Sequence, residues 1–121
     1  PSMFGIVWRE TGRMIGQIGL VEDPKRENPD AGMLGYAIRE DFWNRGIVTE
    51  ATRAVVAYGF LQRRLMLISA YCYPENHASR RVLEKCGFHY EGTLTLCERR
   101  YDGKIFDNEC YSIGCAEWSG R

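Results

Sequence analysis

The sequence has no surplus of charge of either sign, since 16 Lys and Arg residues are balanced by 16 Asp and Glu residues. Nucleic acids and anionic membranes both select basic surfaces, so we expect neither as the main partner. No apolar run approaches the ~20 residues of a membrane span, and the first residues lack the charged-then-apolar pattern of a secretory leader. These absences predict a cytoplasmic protein.

Paired cysteine spacings are also lacking. The five cysteines, Cys72, Cys86, Cys97, Cys110 and Cys115, are odd in number and scattered, and only two histidines accompany them. Such a pattern suits neither a disulfide framework nor a zinc site. We therefore predict no metal, and thiols that serve as small apolar groups buried in the core.

The overall composition, with 45% hydrophobic and 26% charged residues, is ordinary for a globular protein. A chain of 121 residues can bury one apolar core without disulfides or metal. No repeat or linker divides it. We predict a single domain over residues 1–121.

Apolar residues recur with the period of strands at 4–8, 14–21 and 33–38, and Gly35 within the third run predicts a bulge or a close backbone approach. The period becomes helical over residues 47–61.

An unbroken apolar run at 65–73 then predicts a buried strand. A second helix starts at Asn76, which is a suitable N-cap, and stops at Gly87. Two strands, at 90–97 and 105–113, flank a hairpin turn at Asp102 and Gly103. The order of strands and helical crossovers predicts an α/β (α+β) class with a mixed sheet covered by helices.

The junction at residues 40–50 joins a strand to the start of a helix, where free backbone amides and the helix dipole favour an anion. Arg45 adds positive charge, and Gly46 lets the backbone approach a ligand closely. Taken alone, the junction is better explained as a plain turn, because many such loops carry one glycine and this one lacks the glycine and lysine spacing of a P-loop.

One face of the second helix carries Asn76, Ser79, Arg80 and Leu83. Asn76 can simply cap the helix while Ser79 bonds back into its first turn. Taken separately, neither this face nor the junction assigns a function.

Taken together and in this order, three segments resemble the GNAT acetyltransferase superfamily: Leu-Gly-Tyr-Ala-Ile at 34–38, Phe-Trp-Asn-Arg-Gly-Ile-Val-Thr-Glu-Ala at 42–51, and Pro-Glu-Asn-His-Ala-Ser-Arg-Arg-Val-Leu-Glu-Lys-Cys-Gly-Phe at 74–88. The closest likeness is to the branch that acetylates the N-termini of ribosomal proteins. The resemblance implies a mixed, mostly antiparallel sheet with two long helices. It also implies an enzyme that transfers an acetyl group from its co-substrate acetyl-CoA to a primary amine, at a protein N-terminus or on a small molecule.

The resemblance further implies a set of residues that bind acetyl-CoA through its pyrophosphate, pantetheine arm and thioester. These residues are Tyr36, Ala37, Ile38, Trp43, Asn44, Arg45, Gly46, Ile47, Val48, Thr49, Asn76, Ser79 and Leu83.

By the same resemblance Ser79 and Asn76 are the expected catalytic residues, with Ser79 at the leaving thiolate and Asn76 at the pantetheine arm. Many family members have a tyrosine proton donor where Leu83 stands, and often an acid where Met33 stands. Ser79 is therefore the candidate for contact with the thiolate. The general base stays open between an acid, Glu22 or Asp30, and a water relay.

The family domain normally starts with a strand and two helices that have no counterpart here, so we expect roughly its first third to be missing. A non-catalytic acyl-CoA-binding module and a scaffold protein that keeps only the fold remain as alternatives. A sheet without that strand would expose Phe4, Ile6 and Trp8, and we predict a homodimer that covers them.

Overall fold

Six strands form one sheet in the computed structural model, which describes residues 1–120. They are β1 (Ser2–Trp8), β2 (Arg13–Glu22), β3 (Ala31–Ile38), β4 (Leu67–Cys72), β5 (His89–Arg99) and β6 (Ile105–Gly114). Their order across the sheet is β1-β2-β3-β4-β6-β5, and each neighbouring pair is antiparallel except β3 with β4. The predicted α/β class with a mixed, mostly antiparallel sheet is confirmed.

The two helices are α1 (Ile47–Leu61) and α2 (His77–Lys85). Gly46 precedes α1 in the left-handed conformation, with φ 76°. The side chain of Asn76 caps α2 by accepting a hydrogen bond from the Ser79 N–H at 3.1 Å. Gly87, with φ 90°, follows α2, as its position in the sequence predicts.

Both helices pack on one face of the sheet and bury the apolar core there. Alternate strand residues such as Leu20, Ile68 and Tyr111 meet Val56 of α1 and Leu83 of α2, and each of these side chains is almost fully buried. Burial of one such large apolar side chain stabilises the fold by about 1.5–3 kcal/mol. The core therefore holds α1 and α2 against the sheet.

A buried carboxylate, Asp23, links the end of β2 to β4. It accepts hydrogen bonds from the hydroxyls of Ser69 at 2.6 Å and Tyr71 at 2.7 Å, and from the Lys25 N–H at 2.8 Å. Arg26 pairs with Asp23. Burial raises the pKa of Asp23, but the hydrogen bonds and Arg26 outweigh burial and hold this pKa below its ordinary value.

Strands β3 and β4 separate after Met33. Their parallel pairing ends where Met33 faces Ser69, whereas β3 continues to Ile38 paired with β2. The Arg39 N–H donates to the Ile15 carbonyl of β2 at 2.8 Å. Because the bonding direction alternates along an antiparallel ladder, the backbone groups of Tyr36 and Ile38 point into the gap.

The bulge expected at Gly35 does not occur in the β2–β3 pair, whose register is unbroken from Gly16 to Glu22. The glycine marks instead a position where an added Cβ would face open space. Its side of β3 is therefore open to close approach, which was the other expectation for this residue.

Thiol burial follows the prediction only in part. Cys72 and Cys110 are buried, whereas Cys97 is exposed at a bulge in β5. Within residues 1–120, no group of three or more His, Cys, Asp and Glu side chains could hold a metal ion. Neither helix in that part of the chain is long and apolar enough to cross a membrane.

Candidate active site

Two cavities adjoin at this end of the sheet. The larger cavity, of about 510 Å³, lies between β3, the loop before α1 and the first turns of α2. All of the residues expected to bind acetyl-CoA line it, except Leu83. Leu83 is buried in the core and borders a neighbouring cavity. The structure thus brings together residues that are up to 43 positions apart in the chain, as Tyr36 and Ser79 are.

Two basic residues of α2, Arg81 and Lys85, also line the larger cavity and were not among the residues expected there. They are spaced i and i+4, and so share one face of the helix. That spacing is the signal in the sequence from which they could have been found. Their charges favour an anionic ligand in this cavity.

The start of α1 faces the larger cavity through a tightly turned loop. Asn44 and Gly46 both have left-handed backbones, with φ 61° and 76°, and no side chain caps the helix. The Trp43 indole N–H donates to the Ile38 carbonyl at 3.0 Å, which ties the loop to β3. The uncapped amides and the helix dipole together favour an anion here.

Arg45 is held in this loop by aromatic rings. Its guanidinium lies 5.0 Å from the ring centroid of Phe42 and 5.9 Å from that of Trp8. Phe42 and Trp8 themselves pack edge to face, 5.1 Å apart. Contacts of this kind restrain a long cationic side chain, so the positive charge of Arg45 stays at the cavity wall.

A smaller cavity of about 250 Å³ lies in the gap between β3 and β4 and extends to β5 and β6. Gly35, Cys72, Leu83, Glu98 and Asn108 are among its lining residues. The two cavities share three lining residues: Tyr36, Asn76 and Ser79.

Ser79 makes different contacts at this junction through its backbone and its side chain. Its N–H is engaged by the Asn76 cap, as local sequence reasoning allows. Its hydroxyl does not bond back into the helix but lies 2.5 Å from the Tyr36 hydroxyl. Burial raises the pKa of Tyr36, although the bond to Ser79 acts in the other direction. The junction therefore contains two neutral hydroxyls in contact.

The acids considered from the sequence as general base, Glu22 and Asp30, line neither cavity, whereas Glu98 lines the smaller one. The Tyr73 hydroxyl donates to one carboxylate oxygen of Glu98 at 2.6 Å, and the Asn108 amide donates to the other at 3.1 Å. These two donors fix the carboxylate in the cavity wall.

A bulge in β5 explains why the sequence did not reveal Glu98. The register with β6 shifts between Leu94 and Glu98, and Leu96 within this segment has a left-handed backbone, with φ 47°. The Asp107 carboxylate accepts a hydrogen bond from the Leu96 N–H at 2.7 Å and so supports the bulge. Counting alternate residues along β5 fails across such a shift.

Comparison with known proteins agrees with this geometry. Residues 1–89 match the family model described as the acetyltransferase (GNAT) domain. The N-acetyltransferase YoaA of Bacillus subtilis, itself uncharacterized, is 36% identical over 116 residues, which cover 91% of this chain and 60% of YoaA.

Two solved structures share the fold over nearly the whole chain. A GNAT-family acetyltransferase from Bacillus anthracis has a TM-score of 0.84 at 28% identity, covering 95% of this chain and 67% of its own. The ribosomal-protein-S5-alanine acetyltransferase from Vibrio fischeri has a TM-score of 0.86 at 25% identity, covering 97% and 63%.

The chain belongs to the GNAT acetyltransferase family, as the three segments of its sequence predict. It spans between 49% and 66% of the length of five curated relatives that it matches.

Proposed function

We propose that this chain transfers an acetyl group from acetyl-CoA to a primary amine, at a protein N-terminus or on a small molecule. The observation that carries the proposal is the junction of the two cavities at Tyr36, Asn76 and Ser79. The larger cavity offers sites for the phosphates and the extended pantetheine arm of acetyl-CoA. The smaller cavity offers the carboxylate of Glu98, which hydrogen bonds hold in place. A reaction between an acyl donor and an amine needs both.

The larger cavity fits acetyl-CoA on three counts. The uncapped start of α1 suits the pyrophosphate, and Arg45, Arg81 and Lys85 supply positive charge. The backbone of β3 beyond Met33 is not paired with β4, so its inward groups are placed to bond the amides of the pantetheine arm. When bound, acetyl-CoA supplies the thioester carbonyl that the amine attacks.

The smaller cavity suits the amine. A protonated primary amine, with a pKa of about 8 at a protein N-terminus and about 10 on a small alkylamine, must lose a proton before it can attack a carbonyl. We assign that proton to Glu98, whose carboxylate is held by Tyr73 and Asn108. We assign the oxyanion to a backbone N–H of β3 that points into the gap, and protonation of the leaving thiolate to the Ser79 hydroxyl.

The acceptor is the finer part of the proposal. The Vibrio fischeri relative is named for the alanine of a ribosomal protein, which supports a peptide N-terminus. The carboxylate of Glu98 suits any cationic primary amine, which keeps small amines such as polyamines in the proposal.

The test is a screen of this chain with acetyl-CoA, in which binding is followed by thermal shift and acetylated product by mass spectrometry. Peptides with a free N-terminal alanine and small polyamines are the acceptors, and the same peptides with a blocked N-terminus are the matched controls. We expect a higher melting temperature with acetyl-CoA and product only from free amines. Binding without product would select the acyl-CoA-binding module, and absence of binding would select the scaffold.

A further inference from the structure

The contact between Tyr36 and Ser79 joins the two elements that flank the gap. Tyr36 lies on β3 and Ser79 in the first turn of α2, and their hydroxyl oxygens are 2.5 Å apart. Both residues line both cavities. The contact thus lies where an acyl donor in the larger cavity and an amine in the smaller one would meet.

The direction of this hydrogen bond decides where the serine proton points. A hydroxyl has a single proton, so Ser79 either donates to Tyr36 or accepts from it. The phenol is the stronger acid of the two and is the better donor, and burial keeps it protonated by raising its pKa. When Tyr36 donates, the proton of Ser79 is free for a third group.

Cys72 is another titratable group beside this pair. Burial raises the pKa of the Cys72 thiol to about 11, although a hydrogen bond with the Ser79 side chain acts in the other direction, so the thiol is neutral at physiological pH. A neutral thiol is a weak hydrogen-bond partner. A thiolate that develops at the junction is charged and is the stronger acceptor, so it takes the serine proton in preference to Cys72.

We propose that Tyr36 is a positioning residue for acetyl transfer, whose phenol donates to Ser79 Oγ and directs the serine proton at the leaving thiolate. This inference rests on the proposed function. As the bond from the acetyl carbon to nitrogen forms, the bond to sulfur breaks and sulfur keeps the electron pair. Sulfur takes the proton of Ser79, and Ser79 Oγ takes the proton of Tyr36. Of the two protons that the ammonium group loses, one restores Tyr36 through solvent and the other is released.

The test compares Tyr36→Phe, Ser79→Ala and the double variant in acetyl transfer to an acceptor that the wild type uses. We expect Ser79→Ala to lower kcat about a hundredfold and Tyr36→Phe to lower it about tenfold, the scale of one hydrogen bond. In the Ser79→Ala background, Tyr36→Phe should cause no further loss, because the phenol acts through the serine. KM and Kd for acetyl-CoA should stay within about twofold of wild type in all three variants.

Tyr58→Phe is the matched control, since the Tyr58 hydroxyl bonds Ser2 at 3.2 Å and Tyr58 lines neither cavity. Its kcat should equal that of the wild type. A second variant with 3-fluorotyrosine at position 36 keeps both ring and hydroxyl, and it should retain kcat within about threefold while Tyr36→Phe does not.

A normal kcat in Tyr36→Phe, an equal loss in both backgrounds, or a loss of kcat with 3-fluorotyrosine would each overturn the inference. These outcomes leave the proposed function intact, because the wild type turns over in each of them. A wild type that binds acetyl-CoA but acetylates no amine overturns the proposed function, and this inference with it.

Discussion

At the scale of single residues, the proposed role of Glu98 as the general base can be tested most directly. Its two carboxylate oxygens accept from different donors, Tyr73 and Asn108, and so it is oriented from two sides. A carboxylate held in this way can take a proton from an ammonium group without a large rearrangement.

Glu98→Gln should lower kcat/KM at about pH 7 by about a hundredfold, the usual scale of general base catalysis. The loss should shrink as the pH rises toward the pKa of the acceptor amine, because the amine then loses its proton without help. The measurement is kcat/KM across that pH range. Glu75→Gln, a change at an exposed residue outside both cavities, is the matched control. A Glu98→Gln variant with a constant deficit at all pH values would argue for a purely structural carboxylate.

At the scale of elements, the start of α1 can be tested apart from the rest of the fold. Gly46 has φ 76°, and an added Cβ would meet no other atom. Gly103, in the turn between β5 and β6, has φ 85° and equally open surroundings. A β-branched residue strains either backbone by about 1–2 kcal/mol, but only at Gly46 does it reach the proposed phosphate site.

We expect Gly46→Val and Gly103→Val to lower the melting temperature to a similar extent. Only Gly46→Val should weaken CoA binding, by about tenfold or more, since it displaces amides and adds bulk at the helix start. Isothermal calorimetry with CoA measures this. Equal CoA affinities in the two variants would show that the phosphates do not bind at this loop.

The hydrogen bonds of Asp23, which link the end of β2 to β4, are a second feature whose role can be measured. Asp23 has a depressed pKa in the folded chain, so its ionised form is bound more tightly there than in the unfolded chain. The stability that Asp23 adds to the fold is fully present above the pKa of the unfolded chain, about 3.9. It is lost as the pH falls through the lower pKa of Asp23 in the folded chain.

Asp23→Asn should therefore lower the free energy of unfolding by about 1–3 kcal/mol at about pH 7. The difference from wild type should diminish below about pH 4. Urea unfolding at several pH values gives both numbers. A difference that does not change with pH would mean that the carboxylate charge contributes nothing to the link.

The parts of the fold that could be predicted are those set by local patterns. Helix α1 spans residues 47–61 as its apolar spacing predicts, and the cap at Asn76 and the stop at Gly87 delimit α2. The order of the strands along the chain follows from the same reasoning, because each strand has its own run of apolar residues.

What could not be predicted depends on how distant strands meet. No local pattern shows that β3 leaves β4 after Met33, or that the register of β5 shifts before Glu98. Likewise, no local pattern shows that β3 and α2 lie close enough for the Tyr36 side chain to contact Ser79. The family resemblance predicted the loop of the proposed acetyl-CoA site, whereas Glu98 and the contact between the Tyr36 and Ser79 hydroxyls could be found only in the tertiary structure.

At the scale of the whole molecule, β1 is an edge strand of the sheet with apolar side chains on its surface. Met3, Phe4 and Val7 are 52%, 40% and 57% exposed, whereas Ile6 and Trp8, which were also expected to be exposed, are half-buried. Exposed apolar edges favour pairing with another chain, and zero net charge gives little repulsion. We expect the 121-residue chain to dimerise through this edge.

Size exclusion with light scattering over a range of concentrations should show the dimer. Val7→Lys should shift the chain to monomer, because a charged side chain at an edge opposes pairing. Tyr101→Lys, at a fully exposed position in the β5–β6 turn, should leave the dimer unchanged. A wild type that stays monomeric at high concentration would disprove this expectation.

The two cavities share three lining residues, Tyr36, Asn76 and Ser79, and are otherwise lined by different residues. Under the proposed function, acetyl-CoA and the amine can therefore be bound at the same time, and acetyl transfer needs no covalent acyl-enzyme. Initial rates measured at several fixed amine concentrations should then give double-reciprocal lines that intersect. Parallel lines would instead indicate a covalent acyl-enzyme and would contradict the role proposed for Ser79 as a proton donor. Under the proposed function, a complex that holds both substrates thus follows from two strands that separate after Met33.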